Sequence, residues 1–203
     1  EVNTLCDEPP VLTPEEVWLE AECASELGSQ WNVVADDIAS GDAYVVKLAG
    51  NSLANAPEGQ QAILKYNFSV QQTGAYYLFA RVKATSSGND SFWVRVNGGN
   101  WIQWWQGLTI SNNFAWNEVT GAPFNLSSGD NTIEFAYRED GTQLDKLHLN
   151  TSGTQPSGLG GAASNACFAN EVAALKLADG NKGLVLTEAD LIEELDKTPI
   201  VVG

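Results

Sequence analysis

Between Trp18 and about Asn150, hydrophobic and polar positions alternate in short runs, with Gly, Asn, Asp and Ser between them. The runs are "VWLEAEC", "AYVVKLAG", "QAILKYNFSV", "GAYYLFARVKA", "DSFWVRVNG", "APFNLSSG", "NTIEFAYRE" and "LDKLHLN". A period of two sends successive side chains to opposite faces, as in a half-buried strand. In "SFWVRVN" it places Phe92, Val94 and Val96 on one face and Ser91, Trp93, Arg95 and Asn97 on the other. "VNGGN" and "SSGDN" carry residues that tolerate positive φ and read as turns. Many short strands at this spacing predict an all-β sandwich.

The flanks break the pattern. Residues 1–17 hold three Pro and no clean period, so they read as a lead-in or linker. "TSGTQPSGLGGAASNA", residues 151–166, has the composition of a linker or an extended strap. Beyond Cys167, "NEVAALKLAD" and "TEADLIEELDK" read as short helices, the second N-capped by Thr187, while "KGLVLT" and "PIVVG" read as strand pieces. The expectation is a sandwich over 18–167 and a small mixed α/β extension over 168–203, with no repeat of solenoid or propeller period.

Charge narrows the function classes. Ten Lys and Arg against 26 Asp and Glu give a net charge of −16, which repels polyanions such as nucleic acid and anionic membrane surfaces. No run approaches the roughly 18 apolar residues of a membrane span, so no membrane insertion is expected, and the chain reads as a mature segment. Three Cys, no Met and a single His, His148, leave little for redox, thiolate-metal or imidazole chemistry.

Some residues invite chemistry. Glu20 and Glu22 stand two apart on a predicted strand, so both carboxylates leave one face. If the strand carrying Asp145 pairs with theirs, three carboxylates converge into the oxygen-rich surroundings that calcium takes. A Cys23–Cys167 bridge would staple the strap to the first strand in an oxidising compartment, leaving Cys6 over, but three cysteines allow three single pairings. Trp101, Trp104, Trp105 and Trp116 lie among Gly, Asn, Gln and Ser in "NGGNWIQWWQGLTISNNFAWNEV". Indole faces pack against sugar C–H faces while amides bond hydroxyls, so this is a candidate glycan surface, with about half of the rings expected to be packing residues. Trp104 or Trp105 is expected at the surface and Trp101 inside. Trp93 is expected in the core or under a loop.

For catalysis the sequence offers no Ser-His-Asp arrangement, phosphate loop, paired CxxC or HExxH. Glu139 and Asp140 in "REDG" read as turn acids with Arg138 paired locally. "DGNKGLVLTEAD" has acids at both ends, as in an EF-hand loop, but Leu184 stands where that loop needs Gly.

"WLEAEC", "SGDAYV", "GAYYLFARV", "DSFWVRVNGGNW" and "AYREDGTQLDKLHL", taken in order over about residues 17–167, resemble the carbohydrate-binding modules of families six and thirty-five, as found in secreted bacterial surface proteins. The resemblance implies a β-jelly-roll sandwich with a structural calcium on Glu20, Glu22 and Asp145, assisted by backbone carbonyls around Ser40 to Asp42. It implies a non-catalytic, extracellular module that docks polysaccharide on loop aromatics and amides. Trp104, Trp105, Trp116 and Asn113 are the nearest candidates. The Trp104–Trp105 doublet departs from the family pattern, in which a polar residue commonly follows the first Trp. The alternative is a structural or adhesive subunit of a cell-surface assembly, meeting other copies or domains through residues 168–203.

Overall fold

The structure, a computed structural model, describes residues 13–50 and 52–165. The predicted extension over 168–203, Cys6, Cys167 and the acid-flanked "DGNKGLVLTEAD" therefore lie outside the described residues.

Among the described residues twelve strands follow in order: β1 (Glu16–Glu20), β2 (Glu26–Leu27), β3 (Asn32–Ala35), β4 (Ala43–Val46), β5 (Ile63–Val70), β6 (Gly74–Lys83), β7 (Phe92–Val96), β8 (Ile102–Trp104), β9 (Ala115–Glu118), β10 (Phe124–Leu126), β11 (Gly129–Tyr137) and β12 (Gln143–Asn150). They form two antiparallel sheets. One is five-stranded in the order β2-β5-β11-β7-β8. The other, of seven strands, runs β10-β6-β12-β4-β3, with β1 on β12 and β9 on β6. The expected all-β sandwich is thus the observed architecture.

The alternation decides what faces inward. Phe92 and Val94 from β7, Ile133 and Phe135 from β11, Leu78, Ala80 and Val82 from β6 and Leu144, Leu147 and Leu149 from β12 all join one buried cluster. Fully burying each larger aliphatic or aromatic side chain contributes about 1.5–3 kcal/mol. The same parity sends Phe79, Arg81 and Lys83 of β6 to the outer face of the seven-stranded sheet. On that face Phe79 neighbours His148 across the β6–β12 ladder, and Lys83 neighbours Gln143. The ladder shifts register between Leu144 and Lys146, so Asp145 sits at a bulge and keeps a fully buried carboxylate.

One boundary differs from expectation. β1 begins at Glu16, inside the stretch read as lead-in. The preceding Glu15 carboxylate accepts from the Gln71 and Gln72 backbone N–H groups and from the Tyr76 hydroxyl at 2.5, 2.9 and 2.6 Å. Of the two readings of the Gly-rich stretch, residues 151–165 take the extended strap, laid against the outer face. Asn165 donates to the Glu20 and Cys23 carbonyls at 3.0 and 3.1 Å and accepts from the Glu20 N–H at 2.8 Å. The glycines are used for close approach: a Cβ on Gly160 would overlap the Trp18 ring, and one on Gly161 would lie 2.8 Å from its Cε2.

Candidate functional site

Three groups of residues lie along the outer face of the seven-stranded sheet. At one end Trp18 stacks on His148, with ring centroids 3.6 Å apart, and Trp116 meets Trp18 edge-on at 5.8 Å. The Trp116 indole N–H donates to the Gly158 carbonyl in the strap at 3.1 Å. The Asn150 amide reaches His148 Nε2 at 2.8 Å, and burial pushes the imidazole down to about 4, so it is neutral at pH 7. Trp116 and His148 are buried here, and Trp18 is half-buried between His148 and the strap.

In the middle lie the predicted metal-ligating residues. Glu20 ends β1, and Ala21–Cys23 then forms a single 3-10 turn, so Glu22 is not on the strand as the spacing predicted. The carboxylates still approach one another. Burial first, then the charges of Glu20 and Asp145, push the Glu22 carboxyl up to about 9. Both Glu22 oxygens and Glu20 Oε2 are buried without a hydrogen-bond partner. Glu20 Oε1 is satisfied by Lys146 Nζ at 2.8 Å and Ser40 Oγ at 2.9 Å. The backbone of Gly41, at φ 64°, lies so close that a Cβ there would stand 2.6 Å from Glu22 Oε1.

Asp145 behaves differently. Its oxygens accept from the Ser40 N–H at 2.8 Å and from Arg81 Nη1 at 2.5 Å, while burial raises its carboxyl to about 6. Among the described residues no group of three or more His, Cys, Asp or Glu side chains gathers into a metal shell by itself. The open acceptors are therefore those of the glutamate pair, and Asp145 is the counter-ion of Arg81. Two buried carboxylates with three unmatched oxygens suit a hard cation completed by other oxygens.

At the far end the face is open. Tyr44 of β4 and Phe114, just before β9, are partly exposed rings with centroids 5.6 Å apart. Arg81 and Lys83 stand over the Phe114 ring at 5.0 and 5.6 Å. Gln143, beside Lys83 in the β6–β12 ladder, has a buried Oε1 with no donor. Ile38 and Ile110 are exposed, and Asn113, next to Phe114, is exposed as well.

The tryptophan expectations need correction. Trp104 pairs with Phe92 across β7 and β8 and is fully buried in the core, so it offers no face to a ligand. Its ring stacks on Phe92 with centroids 5.9 Å apart. Trp116 is also buried, under the strap. Trp101 does not point inward: it lies 4.3 Å over the Arg95 guanidinium, itself paired with Glu134 on the outer face of the five-stranded sheet. Trp105 alone of the doublet is accessible, at 48 % exposure. Trp93 is half-buried beneath a loop and donates to the Leu53 carbonyl at 3.1 Å, as expected. Arg138 pairs with Glu139 at 2.6 Å, and Asp140 accepts from the Gly50 N–H at 3.1 Å, so the "REDG" acids are turn residues.

Sequence reasoning missed Tyr44, Phe114, Lys83 and Gln143. The available signal was parity: "FARVK" sends Arg81 and Lys83 to one outer face of a chain poor in cations.

No family model matches the chain. An uncharacterized protein of Formosa agariphila is 29 % identical over 117 residues, which is 51 % of this chain and 28 % of that protein. Among solved structures, a family 35 carbohydrate binding module from Clostridium thermocellum superposes with a TM-score of 0.51 at 25 % identity, covering 65 % of this chain and 96 % of the module. A Podospora anserina GH26-CBM35 β-(1,4)-mannanase gives a TM-score of 0.51 at 20 % identity, over 70 % of this chain. This chain spans only 28 % of the mannanase and 28 % of the Formosa protein. The sandwich therefore has the fold of the family 35 carbohydrate-binding modules.

Proposed function

We propose that this chain is a non-catalytic, secreted carbohydrate-binding module, steadied by calcium, whose sugar site is the Tyr44–Phe114 patch. The observation that carries the reading is the pair of partly exposed rings, Tyr44 and Phe114, 5.6 Å apart with Arg81 and Lys83 over the Phe114 ring. A sugar ring supplies what such a patch lacks, C–H faces to cover Phe114 and Tyr44. Asn113 flanks Phe114 with a further amide, and Trp105 is the remaining candidate for a peripheral contact.

Calcium would be held by Glu20 and Glu22, with the 40–42 turn the nearest source of further oxygens. Bound there, it would neutralise two buried carboxylates and tie β1 to that turn. A Cys23–Cys167 disulfide would lock the end of the strap onto the same turn, as befits a secreted protein. Asn165, two residues before Cys167, already binds the Cys23 carbonyl, which favours this pairing.

The test is binding to a glycan and polysaccharide panel with and without calcium, comparing the wild type with Phe114→Ala. The expected result is a loss of at least about tenfold in affinity with the fold intact. Wild-type affinity in the variant would remove the site from this face. The alternative of an adhesive assembly subunit rests on residues 168–203, outside the described residues.

A further inference from the structure

The strap over residues 151–165 carries no titratable side chain of its own. From Ser152 to Ser164 its hydrogen bonds to the sheet reach Asn150, Trp116 and Trp18. Asn150, fully buried at the end of β12, donates through Nδ2 to the Thr154 carbonyl at 2.8 Å and accepts at Oδ1 from the Gly153 N–H at 2.7 Å and the Ser152 hydroxyl at 3.2 Å. Trp116 gives its indole N–H to the Gly158 carbonyl, and its own carbonyl accepts from the Gln155 amide. The Trp18 carbonyl accepts from the Ser164 N–H at 2.8 Å, and Gly160 and Gly161 lie on its ring. One side chain touches all three anchors. His148 stacks on Trp18, meets Trp116 edge-on at 6.4 Å and is bonded to the Asn150 amide.

The orientation of the Asn150 amide is fixed by a carbonyl on one side and an N–H on the other, so it turns a donor toward His148 Nε2. The ring therefore accepts at Nε2 and carries its proton on Nδ1, which is buried without a hydrogen-bond partner. An imidazolium would set an N–H against that amide donor and still leave Nδ1–H unmatched inside the stack. Turning the amide to relieve the clash would withdraw the acceptor from Gly153 and the donor from Thr154. We infer that His148 and Asn150 form an acid latch: the neutral ring holds the strap on the outer face, and protonation of the ring releases the strap while the sandwich stays folded.

Few charges face the ring. Glu16 of β1 attracts a positive imidazole, and Lys146 of β12 repels it. β6 presents Phe79, between Tyr77 and an Arg81 already tied to Asp145, and β9 presents Trp116, with the exposed Glu118 opposite Phe79. Burial outweighs these charges and pushes the closed ring down to about 4. A ring freed into water titrates near 6.5, so the open state binds more protons and should gain up to about tenfold per pH unit as pH falls between those values. Opening would uncover the Trp18 and Trp116 rings.

The test is hydrogen exchange of the whole chain, with calcium present, read by mass spectrometry and corrected for intrinsic rates. Peptides over residues 151–165 should lose protection by at least about tenfold between about pH 7 and about pH 5, while peptides of β11 stay protected over the same labelling times. His148→Gln keeps an acceptor toward Asn150 but takes up no proton, and should flatten the strap response. Glu16→Gln should keep the response and move it to lower pH. A response unchanged in His148→Gln would belong to the acids at Glu20 and Glu22, and the inference would fall. Equal protection of strap and β11 at every pH would also overturn it, because opening would then be global unfolding. Should His148→Gln fail to fold, Glu16→Gln decides: an unshifted response removes His148 as the trigger, and a shift to lower pH supports it.

Discussion

The two ends of one sheet face are both aromatic, yet they are built for different ends. At the strap end Trp116 and His148 are buried and Trp18 half-buried in one stack, with the Trp116 indole N–H and the Asn150 amide bonded and His148 Nδ1 buried without a partner. At the other end Tyr44 and Phe114 are partly exposed, two cations sit over a ring, and a buried carbonyl oxygen has no donor. Aromatic density therefore does not mark the site. A pair of rings left uncovered beside two cations does.

The sharpest way to break the contrast is Trp18→Ala. It removes an indole sandwiched between His148 and the strap glycines and should cost about 3–4 kcal/mol, read as a lower urea midpoint at unchanged slope. Glycan affinity of the folded variant should not change. A stability loss below about 1 kcal/mol, or a parallel loss of affinity, would mean that the strap end is not mere packing.

The acids between the two ends give the next largest effect. Glu22 titrates near 9 in the native state, against about 4.3 when unfolded, so between those values the native state holds a proton that the unfolded chain has released. Without metal, stability should therefore fall as pH rises, by up to about 1.4 kcal/mol per pH unit. His148 contributes with the opposite sign only between about 4 and its unfolded value near 6.5, so the window to scan is about pH 6.5 to 8.5. Denaturant midpoints in a chelator should decline across it. Calcium should flatten the decline, because a bound cation favours the ionised carboxylate, and calcium affinity should rise with pH. Glu22→Gln should remove both the slope and the calcium response. A flat profile that also ignores chelation would sink the cation reading.

How much of this was legible follows from the physics of parity. The strands could be read because one face of each is buried, and the alternation in "SFWVRVN" placed Phe92 and Val94 correctly. The glutamate pair could be read from its spacing of two on an assumed strand, whereas the 3-10 turn that carries Glu22 could not be read. The tryptophan doublet could not be assigned, since a one-residue change of register exchanges the faces of Trp104 and Trp105. Only the pairing of Trp104 with Phe92 sends it inward. The strap was one of two readings that composition left open. A Gly-rich composition is shared by loose linkers and by segments that lie flush on a ring, and only the contact with Trp18 tells them apart.

At the open end, Phe114→Ala should barely touch stability, by about 1 kcal/mol or less, because the ring is only partly buried. Its effect should be on binding, at least tenfold or about 1.4 kcal/mol. A variant that loses several kcal/mol of stability and no affinity would make this end resemble the strap end, and the contrast would collapse.

Trp105→Ala should have the smallest effect and is informative for that reason. Trp105 is the most exposed ring of the "WIQWW" stretch, and its neighbour Trp104 is wholly inside. Residues 105–114 connect β8 to β9, with Thr109 N–H bound to the Asn117 side chain and Ser111 N–H to the Ala84 carbonyl, so Phe114 is held at the sheet independently of the Trp105 ring. Removing that ring should change stability by less than about 0.5 kcal/mol and affinity by less than about threefold. A tenfold loss would instead make Trp105 a principal contact, and would shift the binding surface from the outer sheet face toward the β8–β9 connection.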